Sequence, residues 1–357
     1  MQITLPMRAV RLIFLGAVLA PVALFANPSG RTGAFLSRPE VRSFIEEMAA
    51  QHGLERAELQ RVLGEAQHQS TVVRLIGPAP QTKAVQPVRS YPRYRAKFLT
   101  DRRIAAGTRY WETYDMHLRR AEAEFGVPAE VILGILGVET AFGQNTGSFR
   151  VVDALVTMAF DGQRRQEFFR EELKEFLILA REIRVDPLLM RGSYAGAMGL
   201  PQFMPSSYRR YAVDFDQDGR IDLSGSPIDA IGSVASYLKA FGWTANEAPT
   251  TPVRLPSGSQ KELVTGLQRV HNVAVLKVKG VKFSASALPE GACSVIELPT
   301  PGKPSKYLAG FANFEAITRY NRSTFYATAV LELADAIRVA RVGQIMAITD
   351  SHTPPAT

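Results

Sequence analysis

One stretch, residues 128–143 (PAEVILGILGVETAFG), places a single carboxylate inside an otherwise apolar helix. Its apolar residues leave no polar face, so the helix must be buried on most sides and the fold has to be built around it. Glu139 shares its helix face with Ile135, Leu136 and Phe142. A carboxylate in such surroundings loses hydration, which raises its pKa and suits a general acid. The alternative is a Glu139 at the helix end that is partly solvated or paired with an arginine.

Length and composition are typical of a soluble globular protein. The chain has 357 residues, is 46% hydrophobic and 21% charged, and can hold one large or two modest domains. Its net charge of +8 favours polyanionic partners such as acidic glycans or phospholipid surfaces. No nucleic-acid motif is present, so nucleic acid is not an expected partner. Cys293 is the only cysteine, which rules out an intrachain disulfide.

The first residues predict export. In residues 1–26, Arg8 and Arg11 precede an apolar run that ends near Ala26, a pattern typical of a secretory signal peptide. The run is too short for a membrane span, and the mature chain is expected to contain no transmembrane segment. No cysteine follows the run to carry a lipid anchor. We therefore expect a periplasmic protein.

The hydrophobic pattern predicts a mainly helical α+β protein with one inserted β element. Helical periodicity dominates residues 27–245 and returns at 311–345, so the C-terminal helices are expected to pack back onto the first part. Residues 246–310 contain short β-like runs, such as 270–278, broken by proline and glycine. This region is predicted to be a small β-rich insertion. Residues 346–357 are predicted to form a disordered tail.

Regularly spaced aspartates in residues 214–229 predict a calcium loop of the EF-hand type. Four of them fall at positions 1, 3, 5 and 9 of such a loop, and a glycine occupies position 6, where the chain turns sharply. The carbonyl of Arg220 would serve position 7, and Asp229 is expected to replace the glutamate missing at position 12. Without a cation these carboxylates would repel one another, which favours a structural Ca²⁺ over a solvated turn. The predicted ligands are Asp214, Asp216, Asp218, Arg220, Asp222 and Asp229.

Four sequence blocks, in this order, resemble the lytic murein transglycosylases of glycoside hydrolase family 103, the membrane-bound lytic transglycosylase B group. They are GVETAFG at 137–143, SYAGAMGLPQFMPSSY at 193–208, YAVDFDQDGRIDL with PIDAIGSVASYLKAFGW at 211–243, and NFEAITRYNRSTFYATAV at 313–330. The resemblance implies a lysozyme-like catalytic core with an extended α domain and a small β domain. It also implies cleavage of the MurNAc–GlcNAc β-1,4 bond of peptidoglycan without water, which leaves a 1,6-anhydromuramic acid end.

The resemblance also implies roles for individual residues. Glu139 would be the single acid/base, Ser193 would lie near it, and Gln202 would line the glycan groove. Further groove residues would be Tyr94, Arg164, Arg165, Tyr237, Tyr320, Asn321 and Tyr326. From the residues alone, Ser193 fits a turn hydroxyl, Asn321 a helix cap and Tyr326 a core side chain equally well. The implied partners are peptidoglycan glycan strands and, less directly, cell-wall synthases.

Two other functions stay open at this point. A hydrolytic muramidase of lysozyme type would need a second catalytic carboxylate. Asp153 and Glu167 are nearby in sequence, and surface or capping roles are favoured for both. A non-catalytic peptidoglycan-binding scaffold would keep the groove but has no reason to bury Glu139. With one carboxylate, the muramyl C6 hydroxyl can itself attack C1 while Glu139 acts first as acid and then as base.

Overall fold

The computed structural model describes residues 34–76, 88–259 and 263–351. The signal peptide predicted at 1–26 therefore lies outside the described residues. Within the described ranges, no helix combines the length and the apolar character that crossing a membrane requires.

The fold is mainly helical, as predicted, with one small antiparallel sheet and one short β-ribbon. The helices are α1 (Pro39–His52), α2 (Arg56–Glu65), α3 (Ser70–Ile76), α4 (Tyr91–Arg95), α5 (Asp101–Phe125), α6 (Ala129–Thr140), α7 (Val151–Asp161), α8 (Gln166–Glu182), α9 (Pro205–Tyr211), α10 (Pro227–Ala240), α11 (Val273–Val278), α12 (Ala312–Tyr320) and α13 (Thr324–Ser351). The strands are β1 (Phe149–Arg150), β2 (Arg191–Gly192), β3 (Thr250–Arg254), β4 (His271–Asn272), β5 (Lys282–Phe283), β6 (Ala292–Thr300) and β7 (Lys303–Gly310).

The predicted apolar helix is α6, and it lies at the centre of the main core. Every residue of α6 is buried except Glu130 and Glu139. The helix packs against α5, α10 and α13. A Cβ atom at Gly134 would lie 2.6 Å from the carbonyl oxygen of Val330, so glycine at this position allows α13 to approach closely. The close contact between α6 and α13 brings the C-terminal part of the chain to Glu139.

The small β-rich region is a five-stranded antiparallel sheet in the order β4-β6-β7-β3-β5. Its strands all lie between Thr250 and Gly310. The predicted extended run at 270–278 is wrong, because only two of its residues are extended before α11 begins. The side chain of Asn272 accepts hydrogen bonds from the backbone N–H groups of Ala274 and Val275 and so caps this helix.

The C-terminal helix α13 continues to Ser351, beyond the predicted helical limit at 345.

The short ribbon of β1 and β2 holds the segment after β2 against the turn that follows α6. Gly147 precedes β1 with a φ of 94°, and a Cβ atom there would lie 2.1 Å from the carbonyl oxygen of Gly192.

Gly147→Ala is therefore expected to lower the free energy of unfolding by about 2–4 kcal/mol, measured by urea denaturation. Gly258 has a similar φ of 85° but no atom within 4 Å of its Cβ position. Gly258→Ala should cost only about 1–2 kcal/mol, and equal losses would contradict the close-contact explanation.

Candidate active site

Glu139 lies in the last turn of α6 with part of its side chain still accessible. Burial raises the pKa of Glu139 to about 7, and a hydrogen bond from Tyr326 partly opposes this shift. The Tyr326 hydroxyl donates to Glu139 Oε1 over 2.5 Å. The partner of the carboxylate is thus a tyrosine rather than an arginine. Near neutral pH the side chain can both give and take a proton.

The four tyrosines implied for the groove surround this carboxylate. Burial, together with the nearby charge of Glu139, raises the pKa of Tyr94, Tyr237, Tyr320 and Tyr326. The rings of Tyr237 and Tyr320 pack with their centroids 4.4 Å apart. The buried Tyr320 hydroxyl has no hydrogen-bond partner among the described residues. Among the described residues it is therefore an unused hydrogen-bond donor of the site.

Ser193 and Gln202 hold the segment after β2 in shape. The hydroxyl of Ser193 accepts hydrogen bonds from backbone N–H groups at 3.3 and 3.0 Å within its own turn. Gln202 has a positive φ of 52°, and its Nε2 donates to the carbonyls of Thr146 and Gly199. The turn role considered for Ser193 is thus what its contacts show. Both residues fix the position of a loop that lies next to α6.

The remaining predicted groove residues lie at the ends of helices. Arg164 is exposed. Arg165 occupies the N-cap position of α8 without a side-chain capping bond, and its guanidinium lies 3.9 Å from the ring centroid of Phe168. The Nη2 atom of Arg165 is buried without a hydrogen-bond partner in the described part of the chain. Asn321 is buried at the C-terminal end of α12. It does not cap α13, since Ser323 accepts the N–H group of Tyr326.

Sequence reasoning missed several residues that shape the site. The Thr140 hydroxyl donates to the carbonyl of Leu200 over 2.9 Å and accepts the N–H group of Gly143. It ties the end of α6 to the 199–203 turn and so positions Glu139. Phe203 packs on Tyr237 and Tyr320, and Phe325 packs on Tyr94. Adjacency to Glu139 and Tyr326 was the signal in the sequence for Thr140 and Phe325, but neither side chain suggests chemistry by itself.

The two carboxylates considered as partners of Glu139 have other contacts. Burial and the Tyr326 hydroxyl set the pKa of Glu139, and no other carboxylate of the described residues contributes to it. Asp153 is buried and paired with Arg150 at 2.8 Å, while Glu167 is exposed in the first turn of α8. Asp153 therefore has a structural position and Glu167 a surface position.

The acidic loop brings three of its predicted ligands together. Carboxylate oxygens of Asp214, Asp216 and Asp229 lie within 4.8 Å of one another. Asp229, buried in the first turn of α10, accepts backbone N–H groups of the loop at 2.7 and 2.8 Å. Asp218 Oδ1 accepts one backbone N–H group and Asp222 Oδ1 accepts two, and both residues lie outside this group of three. Three hard oxygen donors at this separation fit Ca²⁺.

Comparisons with known proteins support the resemblance seen in the sequence blocks. A family model described as the transglycosylase SLT domain matches residues 37–335. The membrane-bound lytic murein transglycosylase B of Escherichia coli is 40% identical over 314 residues, which cover 87% of this chain and 86% of that protein. The lytic transglycosylase SltB1 of Pseudomonas aeruginosa superposes with a TM-score of 0.80 at 42% identity, covering 85% of this chain and 98% of that one. Escherichia coli Slt35, solved in complex with calcium, has a TM-score of 0.80 at 40% identity, covering 87% and 96%. The chain therefore belongs to the transglycosylase SLT family.

Proposed function

We propose that this protein is a lytic transglycosylase that cleaves the MurNAc–GlcNAc bond of peptidoglycan and leaves a 1,6-anhydromuramic acid end. The observation that carries the proposal is the single carboxylate Glu139, whose pKa of about 7 and bond to Tyr326 suit alternate proton donation and acceptance. The Escherichia coli relative is a murein transglycosylase by name, which supports the substrate class. The tyrosines around Glu139 offer aromatic faces and hydroxyls of the kind that bind sugars.

In the proposed reaction, protonated Glu139 gives its proton to the glycosidic oxygen as the bond to C1 breaks. Positive charge then develops at C1, where the 2-acetamido group can stabilise it. Glu139, now a carboxylate held by the Tyr326 hydroxyl, accepts the proton of the C6 hydroxyl as that oxygen attacks C1. No water is consumed. The intramolecular hydroxyl competes well with water because its effective concentration is high.

The competing hydrolytic reaction differs in its products. A hydrolase would need a second carboxylate to activate water, and no other carboxylate of the described residues contributes to the pKa of Glu139. Sacculi digested with the protein and then treated with borohydride separate the two reactions. Hydrolysis creates muramic ends that borohydride reduces, whereas anhydro ends resist reduction. If reducible ends increased in proportion to the released fragments, the proposed reaction would be wrong.

The groove around this site is proposed to include the residues at its border. Arg165 and Tyr320 each have a buried polar atom without a protein partner among the described residues, which supports contact with substrate. Arg164 and Asn321 adjoin them in sequence. Ser193 and Gln202 are proposed to act through the loop that they hold. The assignment of this border rests on the family resemblance together with these contacts.

We also propose that the acidic loop binds a structural Ca²⁺ through Asp214, Asp216 and Asp229. The support is the closeness of their carboxylates and the calcium complex of Escherichia coli Slt35. The ion would neutralise repulsion among these carboxylates and tie the loop to the N-terminus of α10. The ion is given no step in the proposed reaction.

Removal of calcium is expected to destabilise the protein. In the wild type, EGTA should lower the melting temperature, and excess Ca²⁺ should restore it, because a ligand that binds only the folded state stabilises it. In the double variant D214N/D216N the melting temperature should no longer respond to EGTA. D335N is the control, since Asp335 is an exposed aspartate of α13 outside the acidic loop. An unchanged EGTA response in D214N/D216N would contradict the proposed site.

The setting of this activity is the cell envelope. We propose an exported, periplasmic protein, in keeping with the signal peptide predicted at 1–26 and with the absence of a membrane-spanning helix among the described residues. We further propose that residues 27–245 and 311–345 form the α domain and catalytic core and that 246–310 form a separate β domain. A link to cell-wall synthases stays a prediction.

A further inference from the structure

A row of cations borders the active site on the side of α4 and the start of α5. We call it the basic rim; its members are Arg89, Lys97, Arg102 and Arg103. We infer that the basic rim binds the carboxylates of the peptides that branch from the glycan strand. This inference rests on the proposed function, because it names the part of the same substrate that the glycan groove does not hold.

Two members of the basic rim contact aromatic residues of the site. The guanidinium of Arg89 lies 5.2 Å from the ring centroid of Phe325, and the ammonium of Lys97 lies 5.9 Å from that of Tyr94. Phe325 precedes Tyr326, which binds Glu139, and the pKa of Tyr94 responds to the charge of Glu139. Both cations are exposed. They are therefore accessible to a ligand and adjoin the groove.

The other two members connect the rim to the end of α6. Arg102 Nη2 donates to Gln144 Oε1 over 3.3 Å, and Gln144 lies in the turn that follows α6. The guanidinium of Arg103 lies 5.3 Å from the ring centroid of Phe98, which itself packs on Tyr94. The rim thus extends from Phe325 past Tyr94 to the turn after Glu139.

No carboxylate of the described residues neutralises the charge of the basic rim. None of its four members forms an ion pair there, whereas neighbouring Arg95 pairs with Glu332. Burial lowers the pKa of Arg103 with no compensating carboxylate. Asp101 is the one acidic residue in the 89–111 stretch. The hydrogen bonds of Arg102 to Gln144 and of Arg103 to the Lys97 carbonyl leave both charges uncompensated, so the rim can attract an anionic ligand.

The chemistry of the substrate indicates which anion the rim binds. The glycan backbone of alternating GlcNAc and MurNAc rings is neutral and has no use for four cations. The peptide begins on the lactyl group of MurNAc, next to the bond that is cut, and carries several free carboxylates. Anionic phospholipids also offer phosphate charge, but Lys97 lies against Tyr94, whose pKa responds to the charge of Glu139. The peptide carboxylates are therefore the anions that the basic rim is best placed to bind.

The test compares two substrates with one variant of the basic rim. R89Q/R102Q changes two exposed members and retains hydrogen-bonding side chains. The substrates are glycan strands that carry their peptides and the same strands after a carbodiimide and methylamine have converted the peptide carboxylates into neutral amides. We expect the ratio of kcat/KM for unmodified strands to that for amidated strands to fall about 3- to 10-fold in the variant. Added salt should reduce the wild-type ratio in the same direction.

The control variant K303Q/K306Q removes two exposed lysines of β7 and so makes the same change in net charge. It should keep the wild-type ratio. An R89Q/R102Q ratio equal to that of the control would overturn the inference. Loss of binding to phosphatidylglycerol vesicles with an unchanged ratio would also overturn it, in favour of a membrane contact. Failure of the proposed function is separate, because wild-type protein would then form no anhydro ends from either substrate.

Discussion

Glu139→Gln is expected to abolish turnover, with kcat lowered by at least about 10³-fold on peptidoglycan strands. The amide cannot donate a proton to the glycosidic oxygen, nor can it accept one from the C6 hydroxyl. Its oxygen can still accept the hydrogen bond of Tyr326, so the shape of the site is kept. Binding of strands to the variant, measured by sedimentation with sacculi, should therefore remain at the wild-type level. Retained turnover would contradict the one-carboxylate mechanism.

The stability of the same variant gives an independent control on folding. Because burial raises the pKa of Glu139 from 4.5 to about 7, the folded state binds a proton more tightly than the unfolded state does. The contribution of Glu139 to the free energy of unfolding is complete below about pH 4.5 and is lost as the pH rises through about 7. The wild type therefore carries a penalty at about pH 8 that the glutamine variant lacks. Urea unfolding should show Glu139→Gln to be as stable as the wild type at about pH 8, or more stable by up to about 3 kcal/mol.

Tyr326→Phe is expected to lower kcat by about 10- to 100-fold. A hydrogen bond to a charged group is worth about 1.5–3 kcal/mol, and this bond stabilises the Glu139 carboxylate that must act as base. The bond also lowers the pKa of Glu139, so its loss should raise that pKa above about 7. In the wild type, kcat/KM should fall as the pH rises through about 7 and the acid loses its proton. In Tyr326→Phe this fall should move to higher pH.

Tyr320→Phe is the matched control for this prediction. Tyr320 is also a tyrosine of the site, but its hydroxyl has no protein partner among the described residues. Its loss should affect substrate binding and raise KM without moving the pH at which kcat/KM falls. A pH profile in Tyr326→Phe that coincides with that of Tyr320→Phe would mean that Tyr326 does not tune Glu139.

The position of the acid could be predicted from the sequence, but its partner could not. An apolar helix interrupted by Glu139 identifies a buried carboxylate because hydrophobic periodicity is a local property. Tyr326 lies 187 residues away, and only the packing of α13 on α6 brings it to Glu139. From the sequence alone Tyr326 fitted a core position equally well. The family resemblance, rather than local pattern, selected it.

Other predictions failed or stayed incomplete where local chemistry was decisive. The alternating run at 270–278 resembled a strand, yet a single cap by Asn272 converts most of it into helix. The spacing of the aspartates predicted Asp229 as the last ligand of the calcium site, and in the structure its carboxylate lies close to those of Asp214 and Asp216. The basic rim was not predicted from the sequence, because its cations are irregularly spaced. Only the folded chain brings three of them against aromatic residues.

Mass spectrometry of the products tests most directly whether the MurNAc–GlcNAc bond is broken without water. Peptidoglycan sacculi are digested with the mature protein in water enriched in ¹⁸O, and the muropeptides are weighed. Intramolecular attack by the C6 hydroxyl predicts products that are one water lighter than those of a muramidase and that carry no ¹⁸O at the muramic end. Glu139→Gln should form none of them. Products that contain ¹⁸O at a reducing muramic end would show hydrolysis and contradict the account.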